Sequence, residues 1–146
     1  MITINELKQK IENNSRLLGL DLGSKRIGVS ICDDKRLIAT PFKTIDFINM
    51  KNLLPQLIEI IKENKIYAII IGYPKNMDGS IGKSAQSVVD KAKIISQEIN
   101  LPICLWDERL STSGAFNLSS SLDVNFSKRK KKIDENAAAF ILQGAI

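Results

Sequence analysis

Leu17 to Asp33 reads LLGLDLGSKRIGVSICD. Two apolar runs, Leu17–Leu22 and Ile27–Cys32, flank Gly23-Ser24-Lys25-Arg26, a turn composition, so the stretch predicts a β-hairpin. Asp21 interrupts the first run. A carboxylate inside a buried strand costs free energy unless something compensates it, and coordination of a hard cation is one such compensation. Gly23 and Gly28 carry no side chain, so a large ligand or its backbone can approach closely there. The simpler reading of Asp21 is a strand-end acid that caps a turn.

Outward from the hairpin, Leu37 to Phe42 predicts a third short strand closed off by Pro41. Met50 to Asn64 has helical spacing, with Leu53, Leu54, Leu57, Ile58 and Ile61 on one face. Ile66 to Ile71 is a nearly continuous apolar run, as expected of a strand covered on both faces. A loop from Gly72 to Gly82 leads to a second amphipathic helix over Ser84–Asn100, with Val88, Val89, Ala92, Ile95 and Ile99 facing inward. Leu101–Trp106 is a further buried strand and Ser111–Leu118 a short helix. Ser119–Lys132 reads as a flexible segment, and Ile133–Ile146 as a final alanine-rich helix opened by Asp134. At the other end, Thr3 and Glu6 match a capping box for an extra helix at about residues 3–14. Strands joined by short turns run antiparallel, and strands reached through helices are parallel additions by right-handed crossovers. The expected architecture is α/β: a mixed five-stranded sheet, three strands antiparallel plus two parallel, with helices on both faces. No internal repeat or linker divides it, so residues 1–146 are expected to form one domain.

The 146 residues are 44% hydrophobic and 25% charged, ordinary for a globular protein. No apolar run spans a membrane and no secretory signal pattern is present, which points to the cytoplasm. Cys32 and Cys104 lie in apolar runs and read as small buried hydrophobes. The chain has no histidine. That removes the usual general base, Ser-His and Cys-His dyads, and imidazole metal ligands. Chemistry is left to carboxylates, lysines, hydroxyls or an oxygen-loving ion such as Mg²⁺ or Mn²⁺.

The carboxyl ends of parallel strands are where α/β sheets build their sites. Asp21 closes the first strand, Asp107 and Glu108 follow the fifth, and Asp134 opens the last helix. Paired divalent ions about 3.5–4 Å apart need such a convergence of acids to serve an in-line phosphoryl displacement. Each acid also has a plain reading: Asp107 orienting Arg109, Asp134 capping a helix. The net charge of +5 suits a polyanionic partner. Lys25 and Arg26 in the hairpin turn, Lys75, Asn76 and Lys83 around the second loop, and Arg109 are candidate nucleic-acid contacts. Asn76 with Asp78 equally fits a turn. Lys128, Arg129, Lys130, Lys131 and Lys132 form a basic block, read either as a mobile phosphate-binding arm or as a solvated loop.

Four blocks, LGLDLGSKRIGVSICD, IIIGYPKNMDGSIG, WDERLST and DENAAAFILQ, together resemble the YqgF/RuvX family of ribonuclease H-like proteins. The resemblance runs from Leu17 to Gln143. It implies a cytoplasmic bacterial nuclease with a Mg²⁺-type acidic site, processing the 5′ end of pre-16S ribosomal RNA. The alternative it carries is a Holliday-junction resolvase acting on branched DNA. Carried onto this chain, the family's acids are Asp21, Glu108 and Asp134, as catalytic and metal-binding residues. Compared with the junction resolvases of the superfamily, the fourth strand ends in Gly72-Tyr73-Pro74 without an acid. A reading from another class is a non-catalytic nucleic-acid-binding factor of ribosome assembly or transcription. The hairpin also resembles the phosphate loop of actin-like and sugar-kinase ATPases, but those need two such domains. The expected state is a monomer or weak homodimer.

Overall fold

The sheet begins as a meander, because apolar runs between residues 16 and 46 are separated by two tight turns. β1 (Arg16–Leu22) and β2 (Arg26–Cys32) form the hairpin, and β3 (Ala39–Asp46) folds back on β2. The structure, a computed structural model, describes residues 1–12, 14–74, 82–107 and 126–146, and of 126–135 the backbone alone. Asp33 shapes the second turn: its Oδ1 accepts the N–H groups of Leu37 at 2.8 Å and Ile38 at 2.9 Å. Before the meander, α1 (Ile4–Lys10) is capped by Thr3, whose hydroxyl accepts the Glu6 N–H at 3.2 Å. The helix stops short of residue 14, with Ile11 already extended.

α2 (Met50–Asn64) is capped by the Asn49 side chain and ends at Lys65 in the left-handed region. It leads into β4 (Ile66–Tyr73), followed by α3 (Lys83–Glu98), β5 (Ile103–Asp107) and α4 (Phe126–Ala145). The sheet order is β3-β2-β1-β4-β5. β1 is antiparallel to β2 and parallel to β4, and β4 is parallel to β5. The expected mixed five-stranded sheet is therefore present.

Alternation along the strands divides two cores. Leu18, Leu20, Ile27, Val29, Ile69 and Ile71 pack against Leu53 and Leu57 of α2 and Val88, Ala92 and Ile95 of α3. On the opposite face Leu17, Cys32, Ala68, Ile70 and Cys104 pack against Leu7 of α1 and Ile141 and Leu142 of α4. Helices thus cover both faces. Both cysteines are buried and free. Among the described residues no helix is long and apolar enough to cross a membrane.

Two boundaries differ from expectation. β3 runs through Pro41 instead of ending there. It is the edge strand, where a missing N–H is tolerated, and the register against β2 shifts so that Ser30 faces Pro41 and Val29 faces Lys43, leaving Phe42 as the extra residue of a bulge. The last helix begins at Phe126, seven residues before the expected start. Lysine and arginine are good helix formers and no Gly or Pro interrupts the run. Positions 128–132 are therefore helical and not irregular, and Asp134 lies within the helix and does not open it. The short helix expected over residues 111–118 lies outside the described residues.

Candidate active site

Asp21 is the last residue but one of β1, half-buried. It shares its face with Leu17 and Gly19, the face covered by α4. Its cross-strand partner on β2 is Gly28. On the other side the parallel register, Leu20 against Ile71, sets Gly72 of β4 beside it. Gly72 pairs in turn with Trp106 of β5. The carboxylate therefore stands between two glycines, with no neighbouring side chain at its own level on either adjoining strand. Two strand spacings, roughly 10 Å, separate the Asp21 backbone from that of Trp106. β5 ends one residue later at Asp107.

α4 comes close to this end of the sheet because Gly19 admits it. A Cβ at Gly19 would lie 2.8 Å from Leu142 Cβ and 3.0 Å from the Ala138 carbonyl oxygen, and closer still to Ser30 Oγ. The buried Ser30 hydroxyl donates to that carbonyl at 2.8 Å, an uncommon anchor between a strand side chain and a helix backbone. Gln143 marks the helix's direction: it accepts the Ala39 N–H at 2.8 Å and donates to the Leu37 carbonyl at 3.1 Å, level with Cys32. From Gln143 back to Ala138 the helix thus advances along β1 toward Asp21. Position 134 lies one turn further on the same stripe, about 6 Å beyond Ala138, just as Asp21 lies two residues, about 6.6 Å, beyond Gly19. The backbone at 134 and Asp21 approach the same end of the sheet. The Asp134 side chain and all of Glu108 and Arg109 lie outside the described residues.

Beside Asp21 a cleft of about 440 Å³ is lined by Gly23, Ser24, Pro74, Lys83, Ser84 and Ser87. Of the candidate cations, Lys83 opens α3 on this cleft, and Lys25 and Arg26 stand in the adjoining turn and at the start of β2. Lys75 and Asn76, and the side chains of Lys128, Arg129, Lys130, Lys131 and Lys132, lie outside the described residues. A second cavity of about 390 Å³, at the other end of the sheet, mixes Arg16 and Lys65 with Asp34 and Glu63 and contains none of the candidate residues.

Asp21 fits a hard divalent cation: it is an oxygen donor near the carboxyl end of the central strand, partly shielded from water, with glycine on either side to admit the ion's remaining ligands. Among the described residues no group of three or more acids, cysteines or histidines forms a complete metal cage. Sequence reasoning missed Gly72, Ser24, Ser84 and Ser87. The loop composition carried no mark of the serines. Gly72 gains meaning only from the β1–β4 register.

A five-stranded mixed sheet with this order and helices on both faces is the ribonuclease H-like fold. Over 90% of this chain and 93% of the other, it is similar to the structure described as T. thermophilus RuvC in complex with Holliday junction substrate, with a TM-score of 0.53 and 9% identity. Residues 15–146 match the family described as RuvX, Holliday junction resolvase, and the chain belongs to that family. A Pelagibacter ubique relative is 66% identical over 146 residues, covering 100% of this chain and 97% of its own. A Desulfitobacterium hafniense relative is 43% identical over 129 residues, covering 88% and 89%. Both carry the name "Putative pre-16S rRNA nuclease".

Proposed function

We propose that this chain is a cytoplasmic endonuclease, dependent on Mg²⁺ or Mn²⁺, that processes the 5′ end of pre-16S ribosomal RNA. Asp21, Glu108 and Asp134 are its acids. The observation that carries the reading is Asp21 itself: a half-buried carboxylate between Gly28 and Gly72, at the end of the sheet toward which α4 runs from Ala138 to position 134. A divalent ion there would supply a bound, activated water and charge stabilisation for phosphodiester hydrolysis. The chain's own residues orient the strand. The glycines leave room for the bulky ribose-phosphate backbone. Lys83, Lys25 and Arg26 offer positive charge along its approach, and the sequence adds a basic block at 128–132.

A second reading, cleavage of four-way DNA junctions, is favoured by the description of the matching family. Both readings need the same phosphodiester chemistry. One experiment separates them: cleavage of a pre-16S RNA fragment and of a four-way DNA junction, each with and without Mg²⁺ or Mn²⁺, by the parent and by Asp21→Asn. Metal-dependent cleavage of the RNA by the parent, abolished in the variant with nucleic-acid affinity retained or slightly raised, is the expected result. Normal cleavage by Asp21→Asn refutes the site. Binding without metal-dependent cleavage of either substrate refutes the nuclease and leaves a binding factor.

A further inference from the structure

We propose that Lys91 is a positioning residue of this site: it ties the β1–β2 turn to α3 and so sets where Asp21 stands. The inference rests on the reading of Asp21 as a catalytic acid. Lys91 lies on α3, half-buried. Its Nζ donates to the Gly23 carbonyl at 3.2 Å and sits 4.4 Å from the centroid of the Phe47 ring. The Phe47 N–H donates to the Lys25 carbonyl at 2.9 Å, and the Gly23 N–H donates to the Asp21 carbonyl at 3.1 Å. Gly23 is thus held on one side by Asp21 and on the other by the ammonium. Only glycine fits at this point of the turn, because a Cβ at Gly23 would lie 2.5 Å from the Arg26 carbonyl oxygen.

An ammonium drawn partly out of water costs free energy, and burial lowers the pKa of Lys91 from the ordinary lysine value. The carbonyl and the ring face offset part of that cost. The β1–β2 ladder pairs Leu18 through Leu22 with their partners without any help from Lys91. What the lysine adds is a fixed placement of one peptide, two residues from the acid. The geometry needed for in-line attack is sensitive to such placement, since a displacement near 1 Å can cost about 100-fold in rate.

The test compares Lys91→Met, which keeps the stem and loses the charge, with Lys91→Arg, which keeps the charge. The readouts are Mn²⁺-dependent cleavage of a pre-16S RNA fragment, thermal unfolding, and amide exchange at Gly23 followed by NMR. Lys91→Met is expected to lower kcat by about 10- to 100-fold at nearly constant KM, to speed exchange at Gly23, and to remain folded at the assay temperature. Lys91→Arg is expected to recover most of both losses. Unchanged kcat in Lys91→Met overturns the proposal, as does a loss of activity that follows the unfolded fraction or that Lys91→Arg fails to relieve. Asp21→Asn, run alongside, keeps the two claims apart. If that variant cleaves normally, the site reading fails on its own account, and the Gly23 exchange rate still decides whether Lys91 ties the turn.

Discussion

Replacing Gly19 by alanine tests the contact that brings α4 to the sheet. The new Cβ would stand 2.8 Å from Leu142 Cβ and 3.0 Å from the Ala138 oxygen. Carbon atoms in ordinary contact need about 3.5–4.0 Å, so the helix must retreat by roughly 0.7 Å or more. That retreat also breaks the 2.8 Å bond from Ser30 Oγ to Ala138. Overpacking of this kind costs about 1–3 kcal/mol, and the lost buried hydrogen bond about 0.5–1.5 kcal/mol more. The sum, about 1.5–4.5 kcal/mol, is a large share of the ~5–15 kcal/mol that holds a typical domain together. Ser30→Ala alone should cost about 1 kcal/mol. Because Ser30 Oγ is the nearest atom to the new methyl, the double variant should be less destabilised than the two single effects added, by about 1 kcal/mol. Urea unfolding followed by circular dichroism measures all three. A Gly19→Ala variant within about 0.5 kcal/mol of the parent, or strict additivity with Ser30→Ala, refutes the idea that this glycine sets the helix–sheet distance.

Hydrogen bonds from the amides of Ile38 and Leu37 hold the Asp33 carboxyl below its ordinary pKa of 3.8. Its contribution to stability is therefore complete above about pH 4 and lost as the pH falls through the lowered value. Thermal unfolding should show Asp33→Asn less stable than the parent at pH 6, with the gap closing in acid; a gap independent of pH contradicts this origin. Burial pushes the Cys104 thiol up to about 11 and also raises that of Cys32. Both should resist a thiol reagent at pH 8 in the folded protein and react once urea is added; rapid labelling of either in the native state counts against their burial. Changing Lys128, Arg129, Lys130, Lys131 and Lys132 together to Gln should weaken nucleic-acid binding and lower the slope of log affinity against log salt by roughly 0.7–0.9 per lost phosphate contact. An unchanged slope would remove the block from the interface.

The hairpin was legible because its signals are local: a leucine-rich run and a β-branched run, a turn that opens on Gly and Ser, and one acid out of pattern. α2 was legible over Met50–Asn64 for the same reason, with Leu53 and Leu57 buried as expected and Ile58 left exposed. Pro41 misled, because proline ends a central strand but not an edge strand, and the sequence alone does not say which strand lies at the edge. Asp134 misled in another way. Its capping preference marked a boundary, whereas the preceding basic run has ample helical propensity to continue the helix back to Phe126. Gly72 and Lys91 carry meaning only through partners 51 and 68 positions away, Asp21 and Gly23. Such pairings come from register and packing, which periodicity does not encode.

The Ser30–Ala138 bond spans 108 positions and the Ala39–Gln143 bond 104. On a ribosome, β1 and β2 emerge long before the helix that covers their second face. At a synthesis rate of about 5–20 residues per second, several seconds pass in which Asp21 is already made and α4 is not. Contacts this distant in sequence also close late, after the entropy of a long loop has been overcome. A nascent chain halted before residue 126 would hold two of the three acids, Asp21 and Glu108, and no helix to bring Asp134. Under the reading given above, the nascent enzyme is inert until α4 has emerged, and competence arrives only with its docking.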